Sequence, residues 1–388
     1  EMLELASLGA GVMHSRSIEF AKKFGVPIVV RSSFEDGPGT TIVPSQSSSQ
    51  RTVSGVALAK NEARITVEDV PDKPGASHQL FAELASEGIA VDMIIQNAGT
   101  GGTADISFTV TDENLASALR ITRTVAESIE AAGVTHNADV AKVSIVGVGM
   151  VGAEGVAATL FQAISAAGIN VHMITTSEIK ISVLVDRHDA KKCVQAAHQA
   201  FHLDGFVDVS SPAAEISTQR SDPLEVVRKL EGMEDLAIED CQLDMSQALV
   251  TFFNLPNTPG VAADVFESVG RAGLNVDMIV QSFPRNGKAE ISFTVPESDR
   301  EQAVDAARKI ASDLGANATD VPKVAKLSLT GVGIRSHAGV ADKLFAPLAS
   351  AGVNIDLIST SEVRVNVVVS AEHGARSLKI LRTAFELE

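Results

Sequence analysis

From Ala63 onward the apolar positions fall into a fixed order. A β-branched run, "ARITVEDV", leads to a Pro-Gly turn at Pro74 and Gly75. A stretch with helical spacing follows, then two short strands, "VDMII" and "ADISFTV", then a second helical pattern from Leu115 to Ala132. A closing strand is predicted near Val134 to Asn137. Period-2 alternation marks the strands and 3.6-residue spacing the helices. The order strand, helix, strand pair, helix, strand predicts an α+β, ferredoxin-like βαββαβ unit, with its helices on one face of an antiparallel sheet.

The pattern recurs, and a repeat decides a fold before any single motif does. "ARITVEDVPDKPGASHQLFAELASEGIAVDMIIQN" (63–97) returns without a gap as "ALVTFFNLPNTPGVAADVFESVGRAGLNVDMIVQS" (248–282), and "ADISFTV" returns as "AEISFTV". "KVSIVGVGMVGAEGVAATLFQAISAAGINVHMITTSEIKISVLV" (142–185) returns as "KLSLTGVGIRSHAGVADKLFAPLASAGVNIDLISTSEVRVNVVV" (326–369). Each half also repeats internally, since Gly75 and "VDM" are echoed by Gly155 and "VHM". The chain therefore reads as four related units.

The second unit lacks an immediate closing strand after the helix at Ala190 to Phe201. A spare strand, "VSGVALA" (Val53 to Ala59), lies earlier, and "LAIEDCQL" (Leu236 to Leu243) is its counterpart in the second half. Each spare strand is expected to complete the second unit of its pair, interlocking the two. The resulting boundaries are an N-terminal segment, 1–42; a linker, 43–52; a first pair, 53–205 (unit one 63–138, unit two 53–59 with 141–205); a linker, 206–235; and a second pair, 236–388 (unit three 247–321, unit four 236–243 with 323–388). Both linkers are rich in Ser, Pro and Gly.

One motif points elsewhere. "VSIVGVGMVGAEGVAATLF" (143–161) runs from a strand into Gly147, Gly149 and Gly152 at the G-x-G-x-x-G spacing of a dinucleotide fingerprint. Three observations argue against that use. The second copy has Ser336 in place of Gly152. The following strand ends in Thr and Ser, not in the acid that would hold ribose hydroxyls. Finally, two successive strands between helices mark a hairpin, whereas a dinucleotide fold needs parallel strands.

Composition narrows the partners. The 388 residues carry a formal charge of −17, which disfavours nucleic acid and anionic membrane surfaces. Neither Trp nor Tyr occurs, which weakens any base-stacking role. No apolar run approaches the roughly 20 residues of a membrane helix. Two cysteines, Cys193 and Cys241, lack metal or redox spacing, so a reduced, cytoplasmic setting is expected and no metal site is assigned. The chain opens inside a helical pattern, not at Met, so a longer parent protein is expected.

The Gly turns suggest a small ligand. In "PDKPG" and "PNTPG" a Pro-Gly pair precedes a helix whose free N–H groups and positive dipole end suit a carboxylate. Asp92 and Asp277 in "VDM" could pair with an ammonium, and Gln96 and Gln281 could donate to or accept from the same molecule. Such a set complements a free α-amino acid.

Here the residues resemble a known family. The four units resemble ACT domains, and "VDMIIQN", "DISFTV", "KVSIVGVGM" and "NVHMITTSEIKISVLV" are similar to the regulatory half of aspartokinases. "TSE" recurs at Thr176 to Glu178 and Thr360 to Glu362. "LASLGAGVMHSRSIEFAKKFGVPIVVRSSF" (5–34) resembles the C-terminal end of those enzymes' α/β amino-acid-kinase domain. The resemblance implies a parent that phosphorylates aspartate with ATP and Mg, on the route to lysine, threonine, methionine and diaminopimelate. It also implies that the kinase's phosphate loop and catalytic groups lie outside this chain, so no catalytic residue and no bound cofactor are assigned; His14 and Arg16 are read as packing or capping residues. Carried over residue by residue, the effector site of the first pair would join Asp72, Gly75, Asp92 and Gln96 of unit one to Asn170, Ser177 and Glu178 of unit two. In the second pair the matching residues are Asn257, Gly260, Asp277, Gln281, Asn354, Ser361 and Glu362. Asn257 replaces Asp72, so the pairs could differ in ligand, with lysine expected for the first and threonine for either. A homo-oligomer that contacts its own kinase domain is implied. A free-standing amino-acid sensor or separate regulatory subunit without kinase activity, and a dimer scaffold, are the rival readings.

Overall fold

The spare strand expected at Val53 to Ala59 and the strand that opens unit one at Ala63 are continuous through Lys60, Asn61 and Glu62. A computed structural model describes residues 1–8, 13–43, 51–97, 101–205, 237–334, 337 and 339–387. In it β3 (Gly55–Pro71) is a single strand that shifts register around Ala59, Glu62 and Arg64. A bulge of this kind keeps the ladder while re-aiming the side chains. Residues 44–50 of the first expected linker, the whole second linker 206–235, Leu236 and Ser336 lie outside the described residues.

Before β3 come α1 (Met2–Ser7), α2 (Ser15–Phe24) and a small hairpin of β1 (Ile28–Val30) and β2 (Thr40–Ile42). The His14 side chain caps α2 by accepting the Arg16 N–H, the local role read for this histidine. The first half then continues with α3 (Ala76–Ser86), β4 (Asp92–Gln96), β5 (Thr103–Thr111), α4 (Leu115–Ser128), β6 (Gly133–Val146), α5 (Val156–Ala166), β7 (Met173–Ser177), β8 (Lys180–Asp186) and α6 (Ala190–Ala200). In the second half come β9 (Ala237–Pro256), α7 (Val261–Arg271), β10 (Ile279–Gln281), β11 (Lys288–Pro296), α8 (Arg300–Asp313), β12 (Asn317–Val332), α9 (Val340–Ser350), β13 (Leu357–Thr360), β14 (Arg364–Ser370) and α10 (Gly374–Ala384).

Two long antiparallel strands serve both units of each half. Glu62 to Glu68 of β3 pairs with Gly133 to Val140 of β6, while Gly55 to Ala59 lies beside Lys142 to Val146, the opening strand of unit two. β9 and β12 do the same in the second half. The closing strand of unit one and the opening strand of unit two are thus one strand, β6.

This sharing leaves β4 and β7 as the free edges of the first half and β10 and β13 as those of the second. Unpaired edges are templates for further pairing. β4 meets β13, with Gln96 opposite Ile358, and β7 meets β10, with Val280 opposite Thr175. The twelve strands close into a barrel in the order β10-β11-β9-β12-β14-β13-β4-β5-β3-β6-β8-β7.

The helices coat the barrel in two layers. Phe81 of α3 meets Phe345 of α9, so units one and four share a core, and Phe161 of α5 stacks on Phe266 of α7, so units two and three share the other. A third cluster, including Met93, Met173, Met278 and Leu357, fills the barrel. No helix among the described residues is long and apolar enough to cross a membrane.

Candidate functional site

The edge pairing overturns the expected partnership of the site residues. Asp72, Gly75 and Gln96 of unit one do not face Asn170, Ser177 and Glu178 of unit two; they face unit four. The physical reason is that units one and two join through the shared strands β3 and β6 at the middle of their sheet, which places their site-bearing edges on opposite sides. Candidate residues therefore gather at two seams, one between units one and four and one between units two and three, with two cavities along each.

The first seam holds an open recess of about 370 Å³, adjoining solvent included, at the start of α3, lined by Asp72, Gly75, Gln96 and Asn354 among others. Gly75 has φ 102°, a left-handed conformation that favours glycine, and Ala76, Ser77 and His78 at the helix start line the same space. The Asn354 amide donates to Asp72 Oδ1 at 2.7 Å, closing the seam. Gln96 is already engaged: its Oε1 accepts the Ser77 hydroxyl and its amide donates to the Ile355 carbonyl, both at 2.7 Å. Burial, with the Asp72 charge added, pushes the Asp356 carboxyl up to about 6.

The second seam repeats this recess, also about 370 Å³, with Asn257, Gly260, Gln281 and Asn170. Asn170 donates to Asn257 Oδ1 at 2.9 Å, so the acid-to-amide exchange preserves the cross-seam bond and removes its charge. Gln281 donates to the Val171 carbonyl at 3.0 Å. The aspartate of unit four at position 356 is matched in unit two by His172, which is 2.9 Å from Asp186.

Of the remaining candidates, Asp92, Ser177, Glu178, Asp277 and Ser361 line the other cavity of each seam, and Glu362 does not. Between units four and one, about 510 Å³ is bounded by Asp92, His337, Thr360 and Ser361. Between units two and three, about 1120 Å³ is bounded by the Gly152 to Gly155 loop, Thr176, Ser177, Glu178, Gln247 and Asp277. Asp92 and Asp277, expected to meet a ligand's ammonium, are paired with ammonium groups of the protein itself. Lys142 Nζ binds Asp92 Oδ2 and lies 3.6 Å from Glu62, while Lys326 Nζ binds Asp277 Oδ2. Both lysines sit on the long strands β6 and β12, next to these aspartates.

The two TSE motifs meet where β7 and β13 approach. Thr175 and Ser359 hydroxyls share a bond of 2.7 Å. Glu178 is bound by Arg364, and Glu362 lies 3.9 Å from Lys180, so each glutamate faces the basic residue of the other motif. Ser177 and Ser361 differ from these neighbours. Both hydroxyl oxygens are buried without a hydrogen-bond partner, and each residue lines one of the larger cavities. Native structures leave few such groups unsatisfied.

The glycines of the fingerprint-like loop have a packing role. A Cβ on Gly147 would overlap the Thr52 carbonyl oxygen and Val53 Cα, and one on Gly149 would overlap the Arg51 carbonyl oxygen. The strand before them pairs antiparallel with β3 and β8, so no parallel nucleotide-binding sheet surrounds them.

Sequence reasoning missed Lys142, Lys326, Lys180 and Arg364. The repeat carried a signal for all four, since basic residues recur at the head of "KVSIVGVG" and "KLSLTGVG" and two places after the glutamate in "TSEIK" and "TSEVR".

Comparison with known proteins identifies the repeated unit. The ACT-domain family model matches residues 65–124, 143–201, 254–309 and 327–385. An aspartate kinase of Pseudomonas fluorescens (strain SBW25) is 44% identical over 206 residues, covering 53% of this chain and 50% of that protein. An aspartokinase of Thermus thermophilus is 41% identical over 206 residues, covering 53% of this chain and 51% of that protein. The chain spans about half the length of the curated relatives it matches. The crystal structure of aspartate kinase from Synechocystis superposes with a TM-score of 0.78 at 34% identity, covering 99% of this chain and 65% of that one.

Proposed function

The chain belongs to the ACT-domain family, and from that premise we propose that it is the regulatory part of an aspartate kinase whose seams bind end-product amino acids. The parent reaction would be ATP and L-aspartate to 4-phospho-L-aspartate, with ATP and Mg held by a kinase domain outside this chain. In this reading each half is an interlocked pair, residues 1–42 are the end of the kinase domain, and lysine and threonine are the effectors. The observation that carries the proposal is the matched pair of unpartnered hydroxyls, Ser177 and Ser361, beside cavities that open between units. A ligand carboxylate or amine could satisfy them. The starts of α3 and α7 offer free N–H groups to a second carboxylate in the smaller cavities.

Seam sites make regulation a matter of linkage. A ligand that prefers one arrangement of two units shifts the population toward it, and a coupling of about 1–3 kcal/mol would alter the attached domain's substrate affinity about 5–150-fold. Calorimetric titration of this chain with lysine and threonine, singly and together, tests the reading. Binding heat is expected, and Ser177→Ala with Ser361→Ala should weaken it about 5–20-fold, the worth of one or two hydrogen bonds. Absence of heat from both amino acids in the unaltered chain removes the effector reading. Binding without aspartate phosphorylation by the full-length gene product would leave a free-standing amino-acid sensor.

A further inference from the structure

We propose that Lys180 is a positioning residue that couples the TSE seam to the docking of the N-terminal helix α1. The crossed pairs of the two TSE motifs are alike in topology and unlike in surroundings. Arg364 and Glu178 lie toward solvent, with the glutamate side chain 50% exposed. Lys180 and Glu362 are 3% and 2% exposed, and a third charge joins them. Glu4 of α1, itself 2% exposed, places Oε2 at 3.2 Å from Lys180 Nζ. Among the described residues, Lys180 is the only cation within ion-pair distance of Glu4, and neither Glu4 carboxylate oxygen has a hydrogen bond.

One buried ammonium thus faces two buried carboxylates on different elements. Leaving a buried carboxylate without its counter-charge is strongly unfavourable, so α1 docks only while Lys180 is available to Glu4. Glu362 competes for the same ammonium at 3.9 Å. Its neighbour Ser361 lines the cavity between units four and one, so movement of this motif changes how Lys180 is shared. The remainder of the α1 dock is local: Leu8 packs with Ala57 and Val146, and Glu1 Oε1 accepts the Val148 N–H at 2.6 Å and the Ser54 hydroxyl at 2.7 Å. Helix α1 therefore touches the strand ends and Gly loop of unit two, while its buried charge reports on unit four. This coupling holds whatever ligand the cavities take.

Hydrogen–deuterium exchange of the segment 3–8 in the full chain tests it. Lys180→Met should speed exchange about tenfold or more, because local opening no longer breaks an ion pair. Glu362→Gln should do the opposite and slow exchange about threefold, since the ammonium is then shared with no second carboxylate. In a Glu4→Gln background, Lys180→Met should have little effect on this segment. A merely structural contact predicts loosening in every variant, so unchanged or faster exchange in Glu362→Gln overturns the proposal, as does unchanged exchange in Lys180→Met. If Lys180→Met does not fold, the Glu362→Gln result decides alone.

Discussion

Replacing Lys142 by Met removes an ammonium that is 1% exposed and takes from Glu62 and Asp92, at 4% and 12% exposure, the cation that lies between them. Breaking a buried pair by removing one partner costs about 3–5 kcal/mol. The internal repeat supplies a control. Lys326→Met removes the matching ammonium, but Asp277 is 36% exposed, Gln247 stands in the place of Glu62, and Asp244, the other acid near Lys326, keeps its hydrogen bonds from Ser246 and Gln247. Partly exposed pairs are screened, and about 1 kcal/mol is expected there. Adding Glu62→Gln to Lys142→Met reproduces the second-half chemistry and should recover about half of the larger loss. Because the chain has neither Trp nor Tyr, urea unfolding is best followed by far-UV circular dichroism. With m of about 2–3 kcal/mol/M, Lys142→Met should lower the midpoint by about 1–2 M and Lys326→Met by less than about 0.5 M. Equal shifts for the two variants would refute the claim that burial and the second carboxylate set the cost.

Two other predictions rest on separate features. Gly147→Ala and Gly149→Ala should each destabilise by more than about 2 kcal/mol, because the added carbon meets backbone, whereas Gly152→Ala, at φ 71° in open space, should cost only about 1 kcal/mol; thermal unfolding of the three variants gives the order. Burial, reinforced by the Asp105 charge, pushes the Glu290 carboxyl up from 4.5 to about 7. A raised acid contributes its stability below its unfolded value and loses it as pH climbs through the folded one. Glu290→Gln should therefore be nearly neutral at pH 4.5 and stabilise by up to about 3 kcal/mol at pH 8, read from urea midpoints at the two pH values.

The elements of this fold were legible because their causes are local. The helix starts at Gly75 and Gly260 and the β-branched strands follow from residues close in sequence, and the repeats align them independently of any structure. The Ser177 and Ser361 positions were legible for the same reason, as members of a string that occurs twice. The gap between the spare strand Val53 to Ala59 and the strand opening at Ala63 does not exist, because a bulge lets one strand run through both. The aspartates misled differently: they were read as partners for a ligand's ammonium, whereas each meets a lysine on a strand roughly 50 residues away, a separation that local periodicity does not register.

By itself, then, the sequence determined four βαββαβ units, their order, and the residues at their edges. It did not determine which unit faces which. That was decided when β4 found β13 and β7 found β10, through main-chain N–H and C=O groups that every residue but proline carries alike, so their pairing leaves little mark in side-chain identity. The choice came from geometry: β3 and β6 each span two units, the free edges are thrown to opposite sides, and the second half closes both, bringing Asp72 to Asn354 and Asn170 to Asn257.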